Sequence, residues 1–184
     1  ANLSIPALKD LQDRDISIIF CSSKTRAEQE VIRRSLGITD PFIIENGGAI
    51  VIPPNTVNII ENSTERWNEE SDGTKIRILG IPIEDIRSIL KKVVSTTGST
   101  YQSFQDLSNE EIAQITGLDL ESAQLAKTRE YSETIVTKFN PLELEIFTRE
   151  CELHNLQCTF GGRFLTVTGK EADKGSAVQE LVKY

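Results

Sequence analysis

Apolar and polar positions switch between two periods along this chain, and the switches mark its elements. Residues 16–21, ISIIFC, are apolar on both faces and β-rich, the pattern of a central parallel strand. Residues 25–36 then carry Ala27, Val31, Ile32 and Leu36 at helical spacing, and Gly37 stops the helix. Residues 41–54, PFIIENGGAIVIPP, read as a strand, a tight Asn-Gly-Gly turn and a second strand. Ahead of these, residues 4–12 form a helix with Ser4 as N-cap and Pro6 in its first turn.

The later half repeats the alternation. Residues 55–74 are polar and turn-rich and read as a boundary; 75–80 alternate like a half-exposed strand, and 83–94 form an amphipathic helix. Ser108 and Asp119 are placed to cap two short helices over 107–118 and 119–130. A strand over 132–139 precedes a helix over 141–155 with Pro141 in its first turn. Two strands joined at Gly161-Gly162 span 156–169, and a helix closes the chain over 173–184. Strand and helix in alternation predict an α/β layer architecture.

Charge and cysteine usage narrow the partners. The 184 residues carry a formal net charge of −8, which argues against a nucleic-acid surface, although a small anion needs only one local basic pocket. No apolar run approaches the roughly 20 residues that span a bilayer, and the polar opening is unlike a signal peptide. Cys21, Cys151 and Cys158 are an odd set with no CxxC pair, which fits a reducing cytoplasm. Cys151, His154 and Cys158 have metal-like spacing, but a structural zinc needs a fourth ligand and no other histidine exists; two core cysteines and a surface histidine explain them.

Several short stretches could carry chemistry. CSSKT (21–25) sets two hydroxyls and a lysine where a parallel strand ends and a helix begins, either an anion site or serines that cap the helix. ENGG (45–48) is explained by turn chemistry alone. REYSET (129–134) suits a solvated loop, and GGRF (161–164) suits a plain turn. In DKG (173–175) a lysine opens the last helix against its dipole, a conflict that a bound anion or the neighbouring Asp173 would remove.

Taken in order, FCSSKTRAE (20–28), DPFIIENGGAIVIP (40–53), AKTREYSETI (126–135), GGRFLTVTG (161–169) and DKGSAV (173–178) resemble the mannosyl-3-phosphoglycerate phosphatases, of the large-cap, Cof-like branch of haloacid dehalogenase-type phosphohydrolases. The resemblance implies an α/β fold: a Rossmann-like core over 1–74 and 170–184, and an inserted α/β cap of the C2 type over 75–169. It implies a cytoplasmic, Mg2+-dependent phosphatase that releases phosphate from a small sugar-phosphate substrate through a phospho-aspartyl intermediate. A different sugar phosphate, or sugar-phosphate binding without catalysis, are the alternatives. By the same resemblance Ser22 binds the phosphoryl group and Lys174 neutralises it and orients the nucleophile. Ser23, Lys24, Asn46, Gly47 and Gly48 meet the substrate at the core–cap crevice. Arg129, Glu130, Ser132 and Arg163 hold the mannosyl and glycerate parts.

The family's Asp-x-Asp-Gly-Thr and Gly-Asp-x-x-Asn-Asp motifs do not occur within residues 1–184, so no metal ligand is assigned here. The chain opens on Ala1 and contains no Met, and the expectation is a longer coding sequence that holds both motifs. Asp10, Asp13 and Asp15 do not replace them, since they fall on a helix and a loop rather than at a strand end.

Overall fold

The computed structural model describes residues 4–54, 56 and 66–183. After α1 (Ser4–Gln12), β1 (Phe20–Cys21) leads through α2 (Arg26–Ser35) to β2 (Phe42–Ile44), which pairs parallel to β1. The turn at 45–47 reverses the chain into β3 (Ala49–Ile52), antiparallel to β2, and β4 (Asn68–Glu69) and β5 (Lys75–Ile78) extend the sheet in the order β1-β2-β3-β5-β4. The last helix, α7 (Lys174–Leu181), packs on this sheet through Ala177 and Leu181 against Ile43 and Ile50.

A second, three-stranded antiparallel sheet is formed by β6 (Ser132–Ile135), β7 (Leu156–Phe160) and β8 (Leu165–Gly169), in the order β6-β8-β7. Helices α3 (Ile83–Thr97) and α6 (Pro141–Leu153) cover one of its faces, burying Ile86, Leu90, Phe147, Cys151, Ile135 and Val167 together. The two short helices α4 (Asn109–Thr116) and α5 (Leu120–Lys127) enclose a satellite core around Phe104 and Ile112. Both start where their sequence caps stand, with Ser108 and Asp119 accepting from Glu111 N and Ser122 N.

Three expectations change. β1 covers only the end of 16–21 and, among the described residues, pairs with a strand on one side alone. Its ladder cannot extend back, because Pro41, the residue before β2, has no N–H to donate. β5, expected in the cap, hydrogen-bonds to β3 over its whole length, so the first unit runs on through Ile78 and the second begins beyond it. Within the stretch expected to form a boundary, β4 pairs with β5, while residues 55 and 57–65 lie outside the described residues.

The two units meet at a seam over 130–132. Tyr131 inserts into the first unit's core beside Phe42, Ile44, Ala49, Val51 and Ile76. Thr25 Oγ1 donates to Leu125 O at 2.9 Å, tying the start of α2 to the end of α5.

Candidate active site

The parallel pair β1/β2 delivers two loops to the same edge. Asn46 N donates to Ser22 O at 3.0 Å and Glu45 N to Lys24 O at 3.1 Å, so CSSK and ENGG lie side by side. Thr25, not a serine, caps α2: its hydroxyl accepts from Glu28 N while the Glu28 carboxylate accepts from Thr25 N. That releases the serines from capping. Ser22 Oγ accepts from Lys24 N at 3.1 Å, which leaves its own proton to donate elsewhere. Ser23 is exposed and lines a cleft.

The cleft, about 290 Å³, lies between the first unit's loops and the second sheet. Ser23, Asn46, Asp173 and Lys174 form one wall, and Gln157, Thr159, Phe160 and Thr168 the other. Lys174 opens α7 with its charge close to the end of β1: burial pushes the Cys21 thiol up, and the Lys174 ammonium pulls it partly back. The Asp173 carboxylate accepts from Ser176 N at 2.8 Å, and the amides at the start of α7 hold it below the usual carboxylate range. Asp173 is thus an anion that offsets Lys174 at the helix N-terminus.

The glycines at this turn are demanded by contact. A Cβ on Gly47, whose φ is +97°, would lie 2.4 Å from the Asp173 carbonyl oxygen. One on Gly48 would lie 2.5 Å from Tyr131 Cβ. The turn therefore presses against both the start of α7 and the cap seam.

Glu45 is the residue that sequence reasoning missed. Its carboxylate is fully buried and accepts from Glu130 N at 2.8 Å, Tyr131 N at 3.1 Å and Ser132 Oγ. Ser132 is thus spent on the seam. Arg129 Nη1 donates to Ser132 Oγ at 2.9 Å and to Ser23 O at 3.2 Å, which sets this guanidinium behind Ser23, outside the cleft lining, with its Nε buried.

Other expected residues are placed elsewhere. Lys24 Nζ pairs with Glu28 at 2.6 Å, along α2 and out of the cleft lining. Glu130 is pushed above the usual carboxylate range, first by burial and then by Glu45, and its other charged neighbours are Arg26, Glu70 and Glu30 on the α2 flank. Arg163 donates to Ile115 O and Thr116 O, capping the C-terminus of α4. A larger cavity of about 680 Å³ around the Arg87–Glu133 pair is lined by none of the expected site residues. Thr168 falls within the GGRFLTVTG stretch without being singled out there, and no motif marks Gln157 or Thr159.

The described residues do not fit a Mg2+ site. Among them no three His, Cys, Asp or Glu side chains come together, and Asp173 is committed to its helix.

A Rossmann-like α/β sheet with an anion-suited loop edge, closed by a second α/β unit, defines a class, and comparison with known proteins agrees with it. The sequence profile of the haloacid dehalogenase-like hydrolase family matches residues 2–184. Solved structures share the fold: Thermoplasma acidophilum 0175 (TM-score 0.64, 15% identity, all of this chain and 62% of that one) and a haloacid dehalogenase subclass IIB sugar phosphatase (TM-score 0.58, 15% identity, all of this chain and 68% of that one). Among curated proteins the chain is similar to the glucosyl-3-phosphoglycerate/mannosyl-3-phosphoglycerate phosphatase of Methanococcoides burtonii, at 37% identity over 97% of this chain and 64% of that protein. It is also similar to the mannosyl-3-phosphoglycerate phosphatase of Pyrococcus horikoshii, at 39% identity over 97% of this chain and 69% of that protein. The chain belongs to the haloacid dehalogenase-like hydrolases and, within them, to the mannosyl-3-phosphoglycerate phosphatase family. It spans about two thirds of the length of these curated relatives.

Proposed function

We propose that this protein is a phosphatase that releases phosphate from a glycosyl-3-phosphoglycerate, mannosyl- or glucosyl-, in the cytoplasm. The observation that carries the reading is the cleft wall of Ser23, Asn46 and Lys174, set at the C-terminal edge of β1/β2. Lys174 neutralises the phosphoryl oxygens, whose charge spreads as the ester bond loosens. The Ser22 proton and the Ser23 hydroxyl donate to the same group. Arg129, held beside Ser23 at the seam, offers the outer edge of its guanidinium to the glycerate carboxylate. Mg2+ is part of this reading on family grounds; the described residues alone would not hold the ion. The relatives' names support a small sugar-phosphate substrate, and the three free cysteines fit a reducing compartment.

The test is phosphate release by the intact protein from mannosyl-3-phosphoglycerate with Mg2+ present. Lys174→Ala is expected to lower kcat/KM about 10²–10³-fold, the cost of removing one preorganised charge from a transferring phosphoryl group. Full activity without Lys174, or no release from either the mannosyl or the glucosyl ester by the wild type, overturns the reading. That no acidic cluster forms among the described residues favours a second reading for these 184 residues, binding without turnover. Calorimetric titration with the ester, beside a phosphate-release assay, decides it.

A further inference from the structure

Helix α3 has two working faces. Ile86, Leu90 and Val93 pack inward on the second sheet, while Arg87, Lys91, Val94 and Ser95 line a cavity of about 680 Å³. The segment 100–106 forms the other wall. It runs beside β6, with Val136 N donating to Gln102 O at 2.9 Å and Ser103 bridging to Ile135. Glu133 of β6 lines the cavity as well, and no residue of the cleft around Lys174 does.

The polar groups of this cavity are sorted unevenly, for both carboxylates are spent on protein donors. Glu133, 1% exposed, accepts from Arg87 Nε at 2.7 Å and from Thr134 N at 3.1 Å. Asp106 accepts from Ser103 N at 2.8 Å and Ser103 Oγ at 2.9 Å. The donors are not spent. Arg87 Nη2 reaches Gln105 Oε1 at 3.3 Å, but among the described residues neither Arg87 Nη1 nor the Lys91 ammonium has a partner. Tyr101 stands edge-on to Phe147, ring centroids 6.1 Å apart, which fixes its ring. Burial, and then Glu133, push its hydroxyl up to about 12, so it remains a donor at neutral pH. A buried ion pair such as Arg87–Glu133 adds little stability over an apolar pair of the same volume, so packing alone does not account for it.

A guanidinium edge, an ammonium and a fixed phenol are donors in surplus, and together they suit a carboxylate. The exposed Ser95, Thr100 and Gln105 both give and take hydrogen bonds, which suits alcohol groups beside that carboxylate. Two cations face two carboxylates in the lining, so a dianion such as a phosphate ester finds no surplus of positive charge. We propose that this cavity is a second binding site, for a small, singly charged hydroxycarboxylate. Arg87 and Lys91 hold its carboxylate, and Tyr101 donates to one of its hydroxyl oxygens. A glycosylglycerate, the product of the proposed reaction, belongs to this class. The lining is separate from the cleft, so the site stands or falls apart from the phosphatase reading.

Glycerate is the probe, in titration calorimetry with the intact protein. Lys91→Ala and Tyr101→Phe each remove a donor that has no protein acceptor among the described residues, so both variants are expected to keep the wild-type Tm. Each is expected to weaken glycerate binding about three- to tenfold and to leave inorganic phosphate, the probe of the cleft, within about twofold. Acetate, a carboxylate without hydroxyls, is expected to bind the wild type about fivefold or more weakly than glycerate. A wild type that binds no glycerate overturns the site. So do variants that bind glycerate unchanged, which puts glycerate elsewhere, and variants that lose phosphate equally, which makes the effect structural. Acetate bound as tightly as glycerate overturns the hydroxycarboxylate assignment.

Discussion

Removing the Glu45 carboxylate should loosen the cap seam more than it destabilises either unit. In Glu45→Ala, the amides of Glu130 and Tyr131 and the Ser132 hydroxyl lose their acceptor at once. A hydrogen bond to a charged, buried acceptor contributes about 1.5–3 kcal/mol, and water entry recovers part of the loss, so a net cost of about 3–6 kcal/mol is expected. That is comparable with a whole domain's stability of about 5–15 kcal/mol. Glu45 also holds a left-handed backbone, with φ +48°, which strains a residue with a side chain by about 1 kcal/mol. Glu45→Gly should therefore be less damaging than Glu45→Ala by about that amount. Hydrogen exchange reads the effect locally: the Glu130 and Tyr131 amides should lose at least 10²-fold protection, while Ile43 and Val167, in the two sheet interiors, change less. Unchanged protection at Glu130 and Tyr131, or Ala and Gly variants both within about 0.5 kcal/mol of wild type, would refute the seam argument.

Two further perturbations probe the same region. Gly47→Ala must move the start of α7, because its Cβ would lie 2.4 Å from Asp173 O; Gly37→Ala, at φ +64° with nothing within 4 Å, should cost only about 1 kcal/mol. Phosphate binding by calorimetry should fall at least tenfold in the first and hold in the second. Glu130→Gln should stabilise the protein at neutral pH. Burial and then Glu45 raise the folded-state value of the Glu130 carboxyl above 4.5, so the folded state holds the proton more tightly, and the stability this contributes is present below that value and lost as pH rises through the raised one. Gln mimics the protonated form, so urea unfolding should show a gain near pH 7 that vanishes near pH 4; an equal gain at both would contradict the assignment.

Much of the local architecture was determined by the sequence itself. Periodicity marks α2, α3 and α6, caps mark α4 and α5, and the Asn-Gly-Gly turn marks the β2–β3 hairpin, because each signal is read within one or two turns of chain. The ordered short motifs also hold Ser23, Asn46 and Lys174, which meet in one cleft, the one the proposed function reads as the phosphate end. Only the tertiary structure decides where a charge is spent. Lys24 turns to Glu28 one helical turn away, and Arg163 turns to the carbonyls ending α4, partners that folding brings within hydrogen-bond reach. Likewise Glu45 reads as part of a turn until residues 130–132, more than eighty positions on, bring three donors to it. Ser132, Thr168 and Gln157 fall in one row only once β6, β8 and β7 are in register. Alternation says which side chains share a strand face, but pairing across strands decides which faces join and what they look upon.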